Sequence, residues 1–311
     1  MIEENRAEFE KANILKWWQA GYMGEGVKIA VLELSPPADD EFTDHNFINF
    51  RSKAKNNDGH ANSVAKVIHE VAPLAQVDVW ELTEGVNYIK QNLDEYDVIN
   101  CSFTGGGGTL LAHAENFPPI FCAAGNNGKK SSVAYPAKYA HTLAIGAFEE
   151  KNNLTANYSQ GGKGLDCVAF TDIFIPAKNE FAFNGTSCAA PMAAAMTALW
   201  IEKTGRKNWQ EVRNFIQKNC VDVMETGHDN YSGYGLFVLP NPETVEGELM
   251  KIEMFINNKT AFVDGKKIEL ARAPEEKGGT TLVPIRFVAE NLGCDVAYEP
   301  KTRKITISKK G

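Results

Sequence analysis

The sequence has no hydrophobic segment long enough to cross a membrane, since nowhere do about eighteen apolar residues follow one another. The first residues, MIEENRAEFEKANILKWW, are acidic where a secretory signal peptide needs basic side chains, and no apolar segment follows them. We therefore expect no membrane span and a cytoplasmic location. The alternative is an extracellular location reached by non-standard export or by lysis.

Cysteine and histidine are both scarce, which limits metal sites and disulfide frameworks. The cysteines show no CxxC pair and are scattered along the chain, at positions 101, 122, 167, 188, 220 and 294. This pattern favours buried free thiols over disulfides or a zinc site. No metal-ligand spacing relates the histidines at positions 45, 69, 113, 141 and 228. We expect no metal and no cofactor.

The charge of the chain is acidic and unevenly distributed. The formal net charge is −8. From residue 249 onward 12 Lys and Arg residues stand against 8 Asp and Glu, whereas the part before it has 20 against 32. Because phosphate binding needs a basic face, the acidic main part argues against nucleic acid as a partner.

Strand-like and helix-like segments alternate over the first 240 residues. The segment 27–33, VKIAVLE, is an apolar run typical of a strand that is covered on both faces. Further runs predict strands at 75–82, 96–103, 119–125 and 141–147, and helical spacing predicts helices at 60–72 and 84–95. This alternation predicts an α/β fold with a doubly wound, mostly parallel sheet and with function at the carboxyl ends of the strands.

A second, smaller domain is predicted after a linker. The stretch LPNPETVEGE is rich in proline and acids, so we place a large domain at 1–242, a linker at 243–249 and a small α+β domain at 250–311. The small domain shows two short strands around an Asp264-Gly265 turn, a helix near 284–292 and a closing hairpin.

Ser187 begins an alanine-rich helix in FNGTSCAAPMAAAMTALW, either as a capping residue or as a nucleophile. A nucleophilic serine needs a base, a third group that orients the base, and donors for the oxyanion. His60 follows a glycine and leads into a helix, Glu33 ends the apolar strand 27–33, and Asn126 follows a strand-ending Gly125. All four stand at strand ends or helix starts, so a parallel sheet would bring them together at one edge.

Five segments together resemble the subtilisin-like serine proteases, over roughly residues 20 to 240. In chain order they read GHANSVA, VINCSFTGG, AAGNNG followed by VAYPAKY, NGTSCAAP and SGYGLFVLP. The resemblance implies a serine endopeptidase that acts on protein or peptide substrates. It makes Ser187 the nucleophile, His60 the base and Asn126 the oxyanion donor, with Glu33 in the place of the family's aspartate.

The resemblance also implies a substrate pocket. Ser102, Phe103 and Thr104 would flank the residue before the cut on one side, and Ala123, Ala124 and Gly125 on the other. The segment after His60 is short, so the family's calcium-binding insertion and part of its substrate-pairing strand are expected to be missing.

The catalytic acid and the histidine segment also depart from the family pattern. Glu33 replaces an aspartate, and Ala61 and Asn62 replace the usual glycine and threonine. Asp39 and Asp40 are reserve acids in the loop that follows Glu33. These departures keep open an alternative, a catalytically impaired pseudoprotease that acts as a binding or regulatory protein.

The C-terminal segment GTTLVPIRFVAENLGCDVAYEPKTRKITI resembles the copper amine oxidase N-terminal-like domain, a stalk module. The resemblance implies a surface or protein partner. No histidine follows residue 228 and Cys294 is the only soft ligand of the module, so no copper site is expected.

Overall fold

The computed structural model describes residues 2–35, 47–52, 59–105, 108–176, 181–246, 252–263, 266–292 and 294–309. The chain divides into two compact units, residues 1–247 and 248–311. The reserve acids Asp39 and Asp40, His45 and the Asp264-Gly265 turn lie outside the described residues.

The first unit contains α-helices and strands in alternation. Its helices are α1 (Arg6–Lys11), α2 (Ile14–Gln19), α3 (His60–Val71), α4 (Leu82–Gln91), α5 (Thr186–Thr204) and α6 (Trp209–Lys218). Its strands are β1 (Lys28–Glu33), β2 (Ile48–Phe50), β3 (Gln76–Glu81), β4 (Val98–Cys101), β5 (Ile120–Ala123), β6 (Thr142–Glu149), β7 (Leu154–Thr155), β8 (Cys167–Phe170), β9 (Ile173–Ile175), β10 (Phe181–Phe183), β11 (Cys220–Val221) and β12 (Leu236–Phe237).

One large sheet organises this unit, in the order β11-β12-β8-β6-β5-β4-β1-β3-β2, with β7 beside β6. Its central pairs, from β12-β8 through β1-β3 to β3-β2, are all parallel, while β11-β12 and β6-β7 are antiparallel. The predicted mostly parallel α/β sheet is therefore confirmed. The predicted strand 27–33 and helix 60–72 correspond to β1 and α3 within a residue at each end.

Helices cover both faces of the sheet. A side chain at Gly85 of α4 would collide with Leu32 and Trp80, which alternation along β1 and β3 places on the face opposite to Glu33. On the face that carries Glu33, α3 and α5 pack against each other and against the central strands. The alanines of α5 are buried throughout, and their small size permits this close approach.

The second unit is a small α+β module, as predicted. Its elements are β13 (Ile252–Met254), β14 (Thr260–Val263), β15 (Lys266–Glu269), β16 (Glu275–Lys277), β17 (Thr280–Leu282), α7 (Ile285–Asn291), β18 (Cys294–Glu299) and β19 (Lys304–Lys309). They form three antiparallel sheets: β13-β14-β15, β16-β17 and β18-β19. The hairpin β16-β17 is an addition to the predicted elements.

Candidate active site

The carboxylate of Glu33 faces the imidazole of His60. Glu33 is the last residue of β1 and His60 the first of α3, and Oε2 of Glu33 lies 3.2 Å from Nδ1 of His60. The Glu33 side chain is only 5% exposed and that of His60 30% exposed. The pair therefore joins a buried acid to a ring that solvent reaches.

Ser187 stands at the second position of α5 and is tied to the end of β4. Its Oγ donates a hydrogen bond of 2.9 Å to the carbonyl oxygen of Ser102, and the Ser102 hydroxyl donates one of 3.0 Å to the carbonyl oxygen of Ser187. Phe183, four residues before Ser187, lies edge-on against the His60 ring at 5.7 Å between centroids. The starts of α3 and α5 thus meet at the carboxyl ends of β1 and β4.

Asn126 lies beside the start of α5 with its side chain held in one orientation. Its Oδ1 accepts hydrogen bonds from the backbone N–H of Thr186 at 3.0 Å and from the Thr186 hydroxyl at 2.9 Å. The Thr186 hydroxyl also accepts a bond from the N–H of Gly125 at 3.1 Å. Because Oδ1 is occupied, Nδ2 points away from Thr186, and no hydrogen bond within the described residues engages it.

Gly185 makes room for this arrangement. It has a positive φ of +89°, and a Cβ at this position would lie 3.2 Å from Nδ2 of Asn126. The N–H groups at the start of a helix carry partial positive charge and have no partner inside the helix. The exposed amide of Asn126 and the start of α5 can therefore present two donors to one anionic oxygen.

Cys188, next to Ser187, does not compete as a nucleophile. It is fully buried, and burial raises the pKa of its thiol to about 12. The reactive form of cysteine is the thiolate, which is negligible at neutral pH for such a pKa. All six cysteines are free, and four of them are buried.

The predicted pocket residues occupy the ends of two neighbouring parallel strands. Residues 102–104 follow β4, Ala123 ends β5 and residues 124–125 follow it, and the register pairs Cys101 with Cys122. Phe103 is only 7% exposed, whereas Thr104 is exposed. All of the predicted pocket residues except Thr104 are buried. A substrate between the two segments would therefore contact mainly their backbone.

The connections that follow α3 and β3 are both short. Residues 72–75, which join α3 to β3, are Ala, Pro, Leu and Ala, so they provide no side-chain oxygen for calcium. The helix α4 begins at Leu82, directly after β3 ends at Glu81, so this connection contains no strand. Within the described parts of the chain, no group of three or more His, Cys, Asp or Glu side chains could hold a metal ion.

Three residues that contact the candidate site were not predicted from the sequence. Thr186 fixes Asn126, Phe183 contacts His60, and Asn100 donates from Nδ2 to the Ser102 hydroxyl at 2.9 Å. One signal was available for Asn100, because it is a lone amide within the apolar run YDVINCSF. Thr186 lies inside the segment NGTS, where nothing in the sequence alone indicates its contact with Asn126.

A serine at the start of a buried helix, surrounded by polar groups and carried on a parallel α/β sheet, is an arrangement found in one class of serine hydrolases. The model of the subtilase family matches residues 54–235, which is more than half of the chain. The chain therefore belongs to the subtilase family. The resemblance to subtilisin-like proteases is confirmed.

Named relatives support the same family. The chain is 29% identical to the minor extracellular protease Epr of Bacillus subtilis over 73% of this chain, but the match spans only 40% of that protein. It is 27% identical to subtilisin BL of Lederbergia lenta, covering 70% of this chain and 90% of the relative. The crystal structure of a lanthipeptide protease has the same fold, with a TM-score of 0.60, 20% identity, and coverage of 76% of this chain and 93% of that one.

The C-terminal unit matches a second family. The model of the copper amine oxidase N-terminal domain covers residues 242–307, which confirms that resemblance. The chain has no histidine after residue 228, so the residues present do not fit a copper site. None of the helices in the described residues has the length and apolar character that a membrane crossing requires.

Proposed function

We propose that the chain is a serine endopeptidase that hydrolyses protein or peptide substrates through an acyl-enzyme, with a triad of Glu33, His60 and Ser187. The contact of 3.2 Å between Glu33 and His60, beside the start of the helix that carries Ser187, is the observation that carries the proposal. The subtilase membership supplies the reaction class.

In the proposed reaction, the Ser187 hydroxyl turns from the carbonyl oxygen of Ser102 towards His60, and Nε2 of His60 removes its proton while Oγ attacks the substrate carbonyl carbon. Glu33 keeps the Nδ1 proton of His60 in place and stabilises the imidazolium. Asn126 Nδ2 and the N–H of Ser187 bind the oxyanion. The imidazolium then protonates the leaving amine as the C–N bond breaks, and water hydrolyses the acyl-enzyme with His60 again as the base.

The proposed substrate pocket is formed by Ser102, Phe103 and Thr104 on one side and by Ala123, Ala124 and Gly125 on the other. The direct passage from β3 into α4 supports weaker pairing with the extended part of a substrate upstream of the cut. We therefore expect the rate to depend little on the length of the peptide before the cut.

A fluorophosphonate probe tests this function. It should label the native chain, and the Ser187→Ala variant should remain unlabelled. Cleavage of an internally quenched peptide with both ends blocked then establishes endopeptidase action. If neither the native chain nor the variant is labelled, the pseudoprotease alternative, which the glutamate at position 33 and the altered histidine segment favour, takes the place of the enzyme.

We further propose that the C-terminal unit binds a surface or protein partner. Its excess of basic residues contrasts with the acidic remainder of the chain, and its family is a stalk module. Retention of the full-length Ser187→Ala chain on washed cell envelopes tests this role, and recovery of all protein in the wash contradicts it. Measuring the chain in cells and in medium during growth decides between the cytoplasmic and extracellular locations.

A further inference from the structure

The end of β4 and the start of α5 are joined by two reciprocal hydrogen bonds. The hydroxyl of Ser102 donates to the carbonyl oxygen of Ser187, and the hydroxyl of Ser187 donates to the carbonyl oxygen of Ser102. Ser102 is 1% exposed, so its hydroxyl is shielded from water. One of the two bonds therefore exists only while the Ser102 hydroxyl proton points to the Ser187 carbonyl oxygen.

Asn100 lies behind this pair. It lies on β4, and Ser102, two residues further on, directly follows the end of that strand, so both side chains are directed to the same side. Its Nδ2 donates to the Ser102 hydroxyl at 2.9 Å. A hydroxyl has a single proton, so an oxygen that accepts from Asn100 directs that proton to its other neighbour, the Ser187 carbonyl.

Stability alone gives little reason for an amide at this position. Asn100 is fully buried between Ile99 and Cys101, and its Oδ1 has no hydrogen-bond partner within the described residues. A buried polar atom without a partner costs about 1–3 kcal/mol. An apolar side chain of similar size would avoid that cost, so what the amide contributes at this position is the single bond to Ser102.

We propose that Asn100 is a positioning residue for the nucleophile: it orients the Ser102 hydroxyl, which in turn holds the backbone of Ser187. The proposal rests on the proposed function of Ser187. If the donor of Asn100 is removed, the Ser102 hydroxyl can rotate, and the start of α5 loses its anchor to β4. A displacement of about 1 Å near the reacting atoms can lower the rate about a hundredfold, so a smaller displacement is expected to lower it about tenfold.

The test is a double-mutant cycle with Asn100→Leu, Ser102→Ala and the combination of both. The measured quantities are the maximal rate of fluorophosphonate labelling and the probe concentration at half that rate, together with kcat and KM for a quenched peptide. Each single variant should lower the maximal labelling rate and kcat about tenfold and leave KM nearly unchanged. The double variant should be no slower than Ser102→Ala, because Asn100 acts only through that hydroxyl.

Thr197→Val is the matched control for lost stability. Thr197 is also fully buried, lies on α5 and donates to the carbonyl of Ala193 at 2.9 Å. It should lower the melting temperature without changing the labelling rate. Asn100→Ala provides a second removal of the donor if the leucine variant does not fold.

Two outcomes overturn the role of Asn100. They are labelling of the Asn100 variants at the native rate, and losses that add in the double variant. Both presuppose labelling of the native chain, so they leave the proposed function intact. A native chain that is not labelled at all would instead overturn the proposed function, and the positioning role with it.

Discussion

Oε2 of Glu33, the residue that we propose takes the place of the family's aspartate, lies 3.2 Å from Nδ1 of His60. The longer side chain therefore reaches the imidazole from the end of a strand that is fixed by parallel neighbours on both sides. Oε1 of Glu33 is buried and has no partner within the described residues. The pair depends on one oxygen, so its geometry should be sensitive to the length of the side chain.

Glu33→Asp should lower kcat/KM about a hundredfold. Removing one methylene withdraws the carboxylate by about 1.5 Å, the length of one carbon–carbon bond, and a misplacement of this order costs about that factor. Steady-state kinetics on a quenched peptide measure the effect. Glu33→Gln is the control for the charge and should cost more, on the order of 10⁴. An aspartate variant as active as the native chain would show that the strand adjusts.

Thr186→Val should lower kcat about tenfold by releasing the side chain of Asn126. The valine keeps the volume but removes the hydroxyl that donates to Oδ1 of Asn126 and accepts from Gly125. Loss of one hydrogen bond of about 1.4 kcal/mol corresponds to a tenfold change.

Asn126→Ala sets the upper limit for the Thr186 effect. Removal of a side-chain oxyanion donor in proteases of this family costs about 10²–10³ in kcat. With Asn126 absent, Thr186→Val should add little further loss. A full tenfold loss in the alanine background would contradict the proposed link between the two residues.

Cys188 should resist alkylation in the folded chain, although it adjoins the proposed nucleophile. Burial excludes the reagent and raises the pKa of the thiol to about 12. Mass spectrometry after iodoacetamide treatment at pH 8 should find Cys188 unmodified in folded protein and modified after denaturation. Cys294, which is half-buried, is the internal control for reagent access. Alkylation of Cys188 in the folded chain, with loss of activity, would point to cysteine chemistry.

The sequence was sufficient for elements whose residues carry a regular apolar pattern. The strand β1 and the helix α3 were predicted almost to the residue, because buried runs and helical spacing are local properties. The hairpin β16-β17 was not, since β16 consists of Glu275, Glu276 and Lys277, β17 is exposed along its length, and neither shows apolar alternation. The stability of this hairpin depends on the pairing of its two strands, which the pattern of residues along one strand does not predict.

For the candidate site, too, some features could be predicted from the sequence and others could not. Four motif residues could be selected because each stands at a strand end or a helix start. The contact between Thr186 and Asn126 joins residues 60 positions apart, and its geometry depends on the conformation of Gly185. Whether Glu33 could reach His60 also depended on where β1 ends relative to α3. Such distances follow from packing, which motif order does not determine.

Asp78→Asn should destabilise the chain at neutral pH and much less in acid. Asp78 is fully buried on β3 and accepts hydrogen bonds from Asn49 at 2.9 Å and Tyr96 at 2.8 Å, with Arg51 at 3.0 Å. Burial by itself would raise the pKa of Asp78, but the bonds from Asn49, Arg51 and Tyr96 outweigh it, and the pKa is lowered.

A lowered pKa fixes the sign of the pH dependence. The stabilisation by the Asp78 carboxylate is fully present above the unfolded value, near pH 4, and is lost as the pH falls through the lower, folded value. Urea unfolding at pH 6 should show Asp78→Asn less stable than the native chain by about 3 kcal/mol. The difference should shrink on acidification to pH 3, with the same sign and a smaller size for Tyr96→Phe. A difference that stays constant between pH 6 and pH 3 would mean that folding does not lower the pKa of Asp78.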